Sequence, residues 1–499
     1  MQRIVDVKTM RESDAKAIAG GVAGRELMLR AAKGVFESYP WKGKTAIVCG
    51  TGNNAGDGYA LALLLQEAKI ACEIILLSDR FSEDGAYYFN QCCENKIPSV
   101  QFADLADFSP YTEIVDCIFG TGFRGDVTGI ARDAIHAINE SGKHVISVDI
   151  NSGLDGDSGT ASLCVKSDLT VSIGTLKQGL LLNGAKDVIK RLVNVDIGIP
   201  ILSTNRYLLE AHDFSSLIKP RCEDSHKGSY GYVSIMGGCT EYAGAVKLAN
   251  LSCAALRAGC GVAQLIISKS LAPSVAPYLL ESTLALLDDT DGHMIFDASK
   301  IDRILSKQAA LAVGMGWGSS AENKKILTHV LKTYRGTLLI DADGLNTLAE
   351  LDLDLLKQTH AQVILTPHLK EMERLSKIPL SDIRNSPVKA AEHFAKTYGI
   401  TLLLKGPCTV VTDGNVTYFV NRGCAGMATA GSGDVLSGIL AGLLGYAPAE
   451  PLTAACGAYI AGLAGELAQN DVNPISMLAS DTVSHIAEAI GLILNECPK

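Results

Sequence analysis

The chain of 499 residues is poor in aromatics, at 6% with two tryptophans, and it contains no C-x-x-C pair. Without that pair the usual signatures of zinc ligation and thiol exchange are missing, and fourteen scattered cysteines do not compose a disulfide framework. A reducing, cytoplasmic setting is expected. An excess of cations is lacking too: 44 Lys+Arg face 54 Asp+Glu, a formal charge of −10. Proteins that coat nucleic acid carry clustered cations, so that partner class is excluded, while small anionic ligands remain open because backbone amides can hold phosphate. Charges or glycines interrupt every long apolar stretch, and MQRIVDVKTMRESDAKAI has no apolar core. Neither a membrane span nor a signal segment is expected.

What is present is globular: 47% hydrophobic and 20% charged residues, in a chain too long for one ordinary core. From about Thr45 to Ile199 the runs TAIVCG, CEIILL, EIVDCIFG, HVISVDI, LTVSIG and VNVDIGI alternate with helical patterns, after a mostly helical 1–40. Near-continuous β-branched runs are what parallel strands covered on both faces look like, which predicts a doubly wound α/β sheet. A polar, proline-containing stretch at 203–228 breaks the rhythm and places a boundary near 205–220, hence domains 1–210 and 211–499. The alternation then restarts with YVSIMGG, VAQLIIS, AALAVGMG, TLLIDADG, AQVILTPH and TLLLKGPCTVVTDG, and with a helix expected from Ala243 to Ala258.

Two glycine-rich segments carry the chemistry. GTGNNAGDG at 50–58 reads as a strand-to-helix turn able to take a phosphate on backbone amides. Gly50, Gly52 and Ala55 also satisfy a loose dinucleotide fingerprint, with Asp79 about where a ribose acid could sit. Asn53, Asn54 and Asp57 are more polar than that fingerprint needs. Asp116 with GTGFRGD at 120–126, Asp149 in VDINSGLDGD, and Ser152 end other strands of the same sheet, so all should converge on one crevice. Amide, hydroxyl and carboxylate oxygens without histidine or thiolate suit a hard, monovalent cation, and a spare carboxylate can act as acid or base. The plainer reading makes each aspartate an ordinary turn residue.

These blocks resemble the epimerase domain of the bifunctional NAD(P)H-hydrate repair enzymes over roughly residues 1–205. The resemblance implies a Rossmann-like fold and contacts to the hydrate from Asn53, Asn54, Ala55, Gly56 and Asp57. It implies further contacts from Gly120, Thr121, Gly122, Phe123, Arg124, Gly125 and Asp126, a catalytic Asp149, and K+ held by Asn54, Asp116 and Ser152. Ala55 stands where the family usually has glycine and Asn151 where it has proline; neither change removes a charge.

GMATAGSGDVLSG at 426–438 precedes the apolar helix pattern VLSGILAGLLG. Gly431, Ser432 and Gly433 would expose amides at the helix start, a site for phosphate or a developing anion, with Asp434 beside it as proton acceptor. Alternatively Asp434 merely caps the helix. The arrangement resembles the ribokinase-like superfamily and, with DSHKGSYGYV, IDADGLN, LTPHLKEM and KGPCT, its NAD(P)H-hydrate dehydratases over about 220–499. The resemblance implies that Lys405, Gly406, Pro407, Cys408, Thr409, Gly431, Ser432 and Gly433 line an adenine nucleotide. Ala245, Gly316, Gly318, His368 and a catalytic Asp434 would face the hydrate, with ADP as co-substrate, Mg2+ on its phosphates, NADHX and NADPHX as substrates, and a homo-oligomeric assembly. GMGWG at 314–318 lacks the family's proline, Leu369 and Lys370 replace a P-G pair, and Ala430 replaces a glycine. Three rival readings remain: a nicotinamide-dependent dehydrogenase, a small-molecule kinase with an N-terminal nucleotide-binding domain, and a nucleotide-binding regulator.

Overall fold

The computed structural model describes residues 1–254 and 257–496 and divides into two compact units between Thr204 and Asn205. In the N-terminal unit, seven parallel strands run in the order Ser99–Gln101, Cys72–Leu76, Thr45–Cys49, Glu113–Cys117, His144–Val148, Leu169–Ile173, Leu192–Val195. Alternate residues of each strand enter two separate cores: Ile47 and Cys49 join helices Gly24–Glu37 and Asn53–Glu67, while Ala46 and Val48 join Gly129–Glu140. That is the doubly wound sheet the apolar runs predict. The strand order reverses between Thr45–Cys49 and Glu113–Cys117, which opens a crevice beyond their carboxyl ends.

The helix after the first glycine segment starts earlier than expected, at Asn53, so only Gly50–Gly52 form the turn and Asn53 to Gly58 occupy the opening helical turns. Gly56 packs closely on Met28: a Cβ there would stand 2.4 Å from the Met28 sulfur, so that side chain would have to move. The run VNVDIGI is extended only as far as Val195; Asp196 then accepts a hydrogen bond from the Gly198 amide at 2.8 Å and turns the chain.

In the C-terminal unit the parallel strands run in the order Thr283–Leu287, Val262–Ser268, Tyr232–Met236, Ala310–Val313, Thr337–Ile340, Gln362–Leu365, Thr401–Leu404. TLLLKGPCTVVTDG is two antiparallel strands rather than one, Thr401–Leu404 and Thr409–Thr412, because Gly406 and Pro407 turn the chain between them. The strands Thr283–Leu287 and Thr417–Val420 were not expected, and Arg206–Leu208 pairs in parallel with the latter. The helix starting at Ala243 extends to Ala254; residues 255 and 256 of the expected helix lie outside the described residues, and 257–258 form a turn. Helix Ser432–Leu444 is buried continuously from Val435 to Leu444 and packs on Ala243–Ala254, where Gly438 allows an approach that a Cβ, 2.2 Å from the Ala249 carbonyl, would block.

Candidate active sites of the two units

The crevice of the N-terminal unit is a cleft of about 680 Å³, lined by Asn53, Asn54, Asp57, Gly120 to Arg124 and Asp149. Helix Asn53–Glu67 has Gly52 as its N-cap with no side-chain hydrogen bond, so its opening amides face the crevice uncapped. Ala55 and Gly56 are buried in the packing beneath, and Gly125 and Asp126 do not line the cleft; Asp126 instead accepts the Ser162 hydroxyl at 2.8 Å. Asp79, the ribose-acid candidate, is exposed and lies outside the cleft, so the dinucleotide fingerprint has no acid to complete it.

Asp149 ends its strand with a left-handed backbone, φ 67°, and takes the ammonium of Lys177, whose side chain is 1% exposed. Lys177 also donates to the Ile173 carbonyl at 2.6 Å and the Ser172 hydroxyl at 3.3 Å. Asp14, Asp57 and Asp84 also line the cleft, and the first two are shifted. Burial, and then the charge of Asp149, push Asp57 well above the ordinary carboxylate range; burial raises Asp14 to about 6 against the pull of Lys177. The cleft thus holds one carboxylate paired with a lysine, one carboxyl, Asp57, that favours the protonated form, and one, Asp14, that gains a proton just below neutral pH.

Behind the loop of 119–120, Asp116 accepts four hydrogen bonds. Its two oxygens accept from the Ile118 amide at 3.2 Å, the Ser147 hydroxyl at 2.9 Å, and both the amide (2.9 Å) and the hydroxyl (2.5 Å) of Ser152. Burial pushes its carboxyl up and these bonds oppose it. Asn54 donates its amide to the Phe119 carbonyl at 2.9 Å, whereas its Oδ1 is buried with no hydrogen-bond partner. Asn54, Asp116 and Ser152 therefore stand together around the Phe119 backbone, and one inward-facing oxygen is left to be satisfied.

In the C-terminal unit, Gly431 caps helix Ser432–Leu444 with φ 95° and no side-chain hydrogen bond. Asp434 lies inside the first turn and is not the cap, which removes the plainer reading of that residue. Burial, reinforced by Asp341, raises the Asp434 carboxyl to about 7 although Lys405 opposes it. Lys405 reaches across the strand ends to Asp341 Oδ1 at 2.8 Å and Glu371 Oε2 at 3.6 Å, and Ser437 donates to Asp341 Oδ2 at 2.6 Å. Burial alone would raise Asp341, but Lys405 and Ser437 outweigh it and hold that carboxyl below the usual range. Gly433 lies beside this pair: a Cβ there would stand 3.6 Å from the Lys405 ammonium, at ordinary contact distance.

His368 caps helix Leu369–Ser376: its Nδ1 accepts from the Lys370 and Glu371 amides at 3.1 and 3.2 Å, and Glu371 returns a bond to its amide at 2.7 Å. Gly316, φ 58°, lies against Ala245, and Gly318 donates its amide to Asp343 at 2.8 Å. Of the expected nucleotide contacts, Gly406 and Pro407 are exposed, Thr409 is half-buried and Cys408 is buried. Lys177, Asp14, Asp341, Glu371 and Ser437 were not singled out in the sequence, although a lone lysine inside LTVSIGTLKQGLLL was a visible signal.

The family descriptions "YjeF-related protein N-terminus" and "NAD(P)H-hydrate dehydratase" match residues 24–179 and 233–488. The bifunctional NAD(P)H-hydrate repair enzyme of Coxiella burnetii is 31% identical over 492 residues, 96% of this chain and 97% of that one. The enzymes of the same name from Moorella thermoacetica and Escherichia coli K12 are 34% and 32% identical, over 88% and 94% of this chain and 86% and 90% of theirs. A ribokinase-like superfamily protein of Enterococcus faecalis superposes with a TM-score of 0.50 at 21% identity, covering 58% of this chain and 98% of that one, which supports the C-terminal fold. Among the described residues no helix is long and apolar enough to cross a membrane. A match that runs through both halves leaves no room for a dehydrogenase or a stand-alone kinase, and the chain belongs to the bifunctional NAD(P)H-hydrate repair enzymes, pairing an epimerase with a dehydratase.

Proposed function

We propose that the N-terminal cleft inverts the C6 centre of hydrated NADH and NADPH through Asp149, and that the C-terminal site dehydrates the S epimer through Asp434 with ADP as phosphoryl donor, releasing AMP and phosphate. The observation that carries this is the pairing, in each unit, of a carboxylate with a lysine, Lys177 buried and Lys405 half-buried, beside an uncapped helix start.

The C6 hydroxyl sits next to the ring nitrogen, so inversion follows from opening and reclosing one bond. Asp149 takes the hydroxyl proton, the oxygen becomes a carbonyl, and the C6–N1 bond breaks with its electron pair going to nitrogen. Asp57, kept protonated by burial and by Asp149, gives nitrogen a proton. Rotation presents the other face, and both protons return as the ring closes. Potassium fits the orphaned Asn54 Oδ1, with the Phe119 carbonyl and the oxygens of Ser152 and Asp116 beside it. When bound it adds positive charge beneath the Gly120 to Arg124 loop.

In the second site hydroxide is the leaving group to be improved. Asp434 removes the hydroxyl proton as the oxygen attacks the terminal phosphoryl group of ADP. The amides near Gly433, and the Lys405 ammonium beside them, stabilise the charge that moves onto it. The ring nitrogen then expels phosphate, leaving an iminium at C6, and loss of a C5 proton to the departing phosphate restores the dihydropyridine. A magnesium ion would be carried on the nucleotide phosphates. When bound it offsets their charge. The buried thiols of Cys49, Cys92 and Cys117 suit a reducing cytoplasm, and the family resemblance supports a homo-oligomer.

The test mixes the protein with both epimers of hydrated NADH, potassium, magnesium and ADP, and follows the return of dihydropyridine absorbance. Complete recovery supports both activities. Recovery that stops at the share of one epimer removes the epimerase assignment, and none with either ADP or ATP removes the whole reading.

A further inference from the structure

The cleft of the N-terminal unit has an unbalanced charge inventory. Its lining carboxyls are Asp14, Asp57, Asp84 and Asp149, and among the described residues its lining cations are Arg11, Arg124 and Lys177. Two of these three are committed to carboxylates: Lys177 to Asp149, and Arg124 to Asp155 at 3.3 Å and Asp157 at 3.1 Å. Among the described residues Arg11 has no carboxylate partner; it is exposed, and its Nη2 donates to the Thr121 carbonyl at 3.0 Å.

Its position is fixed by the helix that carries it. Val7, Met10 and Ala17 of Val7–Ala19 are buried, and Asp6 and Asp157 accept from the opening amides at 2.8 and 2.7 Å. Residues 11, 14 and 18, at helical spacing, are left to face the cleft. The guanidinium lies against the 120–124 loop, with Nη2 3.8 Å from where a Cβ of Gly122 would be. Arg11 also precedes residues 24–179, the span matched by the N-terminal family description.

A dinucleotide brings at least two phosphate charges into a cleft rich in carboxyls, and a planar guanidinium with free donors is the side chain best matched to them. We infer that Arg11 binds the pyrophosphate of the hydrated dinucleotide and thereby sets its position over Asp149. Arg11 is thus a substrate-positioning residue; the inference rests on the epimerase reading above.

The experiment uses the full chain without any nucleotide donor, so that only epimerisation proceeds, and follows conversion of purified R epimer of hydrated NADH by chromatography. Arg11→Gln should raise KM by on the order of tenfold with kcat within about twofold, as loss of a charge-assisted contact requires. Arg11→Lys should recover part of that, and the rise of KM with salt should flatten in Arg11→Gln. An unchanged KM, or a fall in kcat accompanied by a lower thermal midpoint, would reduce Arg11 to a tie for the Thr121 loop and overturn the inference while the wild type still epimerises. A wild type that does not epimerise the substrate overturns the epimerase reading itself.

Discussion

Lys405 and Asp341, 64 residues apart, meet at 2.8 Å with the aspartate 1% exposed, and the pair sets the charge that Asp434 feels. Asp341 raises the Asp434 carboxyl and Lys405 lowers it, after burial has done most of the work. The balance leaves Asp434 titrating near neutral pH, where a proton acceptor in catalysis is most effective.

Dehydration should therefore depend on pH in a definite sense. Asp434 accepts a proton only when ionised, so kcat/KM for the S epimer should rise with pH through about 7 and level off above it. The sign for stability is opposite. A carboxyl raised from its unfolded value favours the fold below about 4 and loses that contribution as pH climbs to about 7. Asp434→Asn should abolish dehydration and, at pH 8, raise the thermal midpoint by roughly 2–4 °C. A pH profile flat from 5 to 9 would sink the assignment.

Replacing Lys405 by Met leaves Asp341 buried without its cation. A loss of about 3–5 kcal/mol in denaturant unfolding of the C-terminal unit is expected. Where the variant still folds, the midpoint of the dehydration profile should move to higher pH, since the group that lowers Asp434 has gone.

Lys177→Met should lower epimerisation by roughly 10²–10⁴-fold. Dehydration of the S epimer should continue in the same protein. With an epimeric mixture and ADP, the recovered absorbance should stop near the share of the S form, and full recovery would show that Lys177 has no part in inversion.

Asn54→Ala removes the unpartnered oxygen expected to meet potassium. The potassium concentration giving half-maximal epimerisation should rise by about 10-fold or more, with dehydration unchanged. Equal epimerase activity in potassium and in a large organic cation, for the wild type, would remove the ion from the mechanism.

Much of this was readable in sequence because strand-end chemistry is local. Asp149 and Asp434 each sit within a few residues of the glycines that shape their surroundings, and the Val/Ile-rich runs announced both sheets. The partners were harder to see. Lys177 reaches Asp149 from 28 residues away and Lys405 reaches Asp341 from 64, so their pairing exists only once strands that are not adjacent in sequence have assembled. One helix start differs for a local reason: Asn53 to Asp57 have the composition of a turn, but the helix already begins at Asn53, directly after the extended Gly52. Thr283–Leu287 and Thr417–Val420 escaped because short strands between polar flanks carry little periodic signal.

The cap that His368 provides decides what that ring can say to a ligand. Two amides point their hydrogens at Nδ1, so the ring proton must reside on Nε2. Burial, and then the nearby Lys405, also disfavour a second proton. The imidazole consequently speaks in one direction only: it can offer a hydrogen to a carbonyl or phosphate oxygen, and it cannot take one. Aspartate at this position would keep the cap with a side chain that only accepts, which makes His368→Asp the substitution that separates fastening a helix from greeting a substrate.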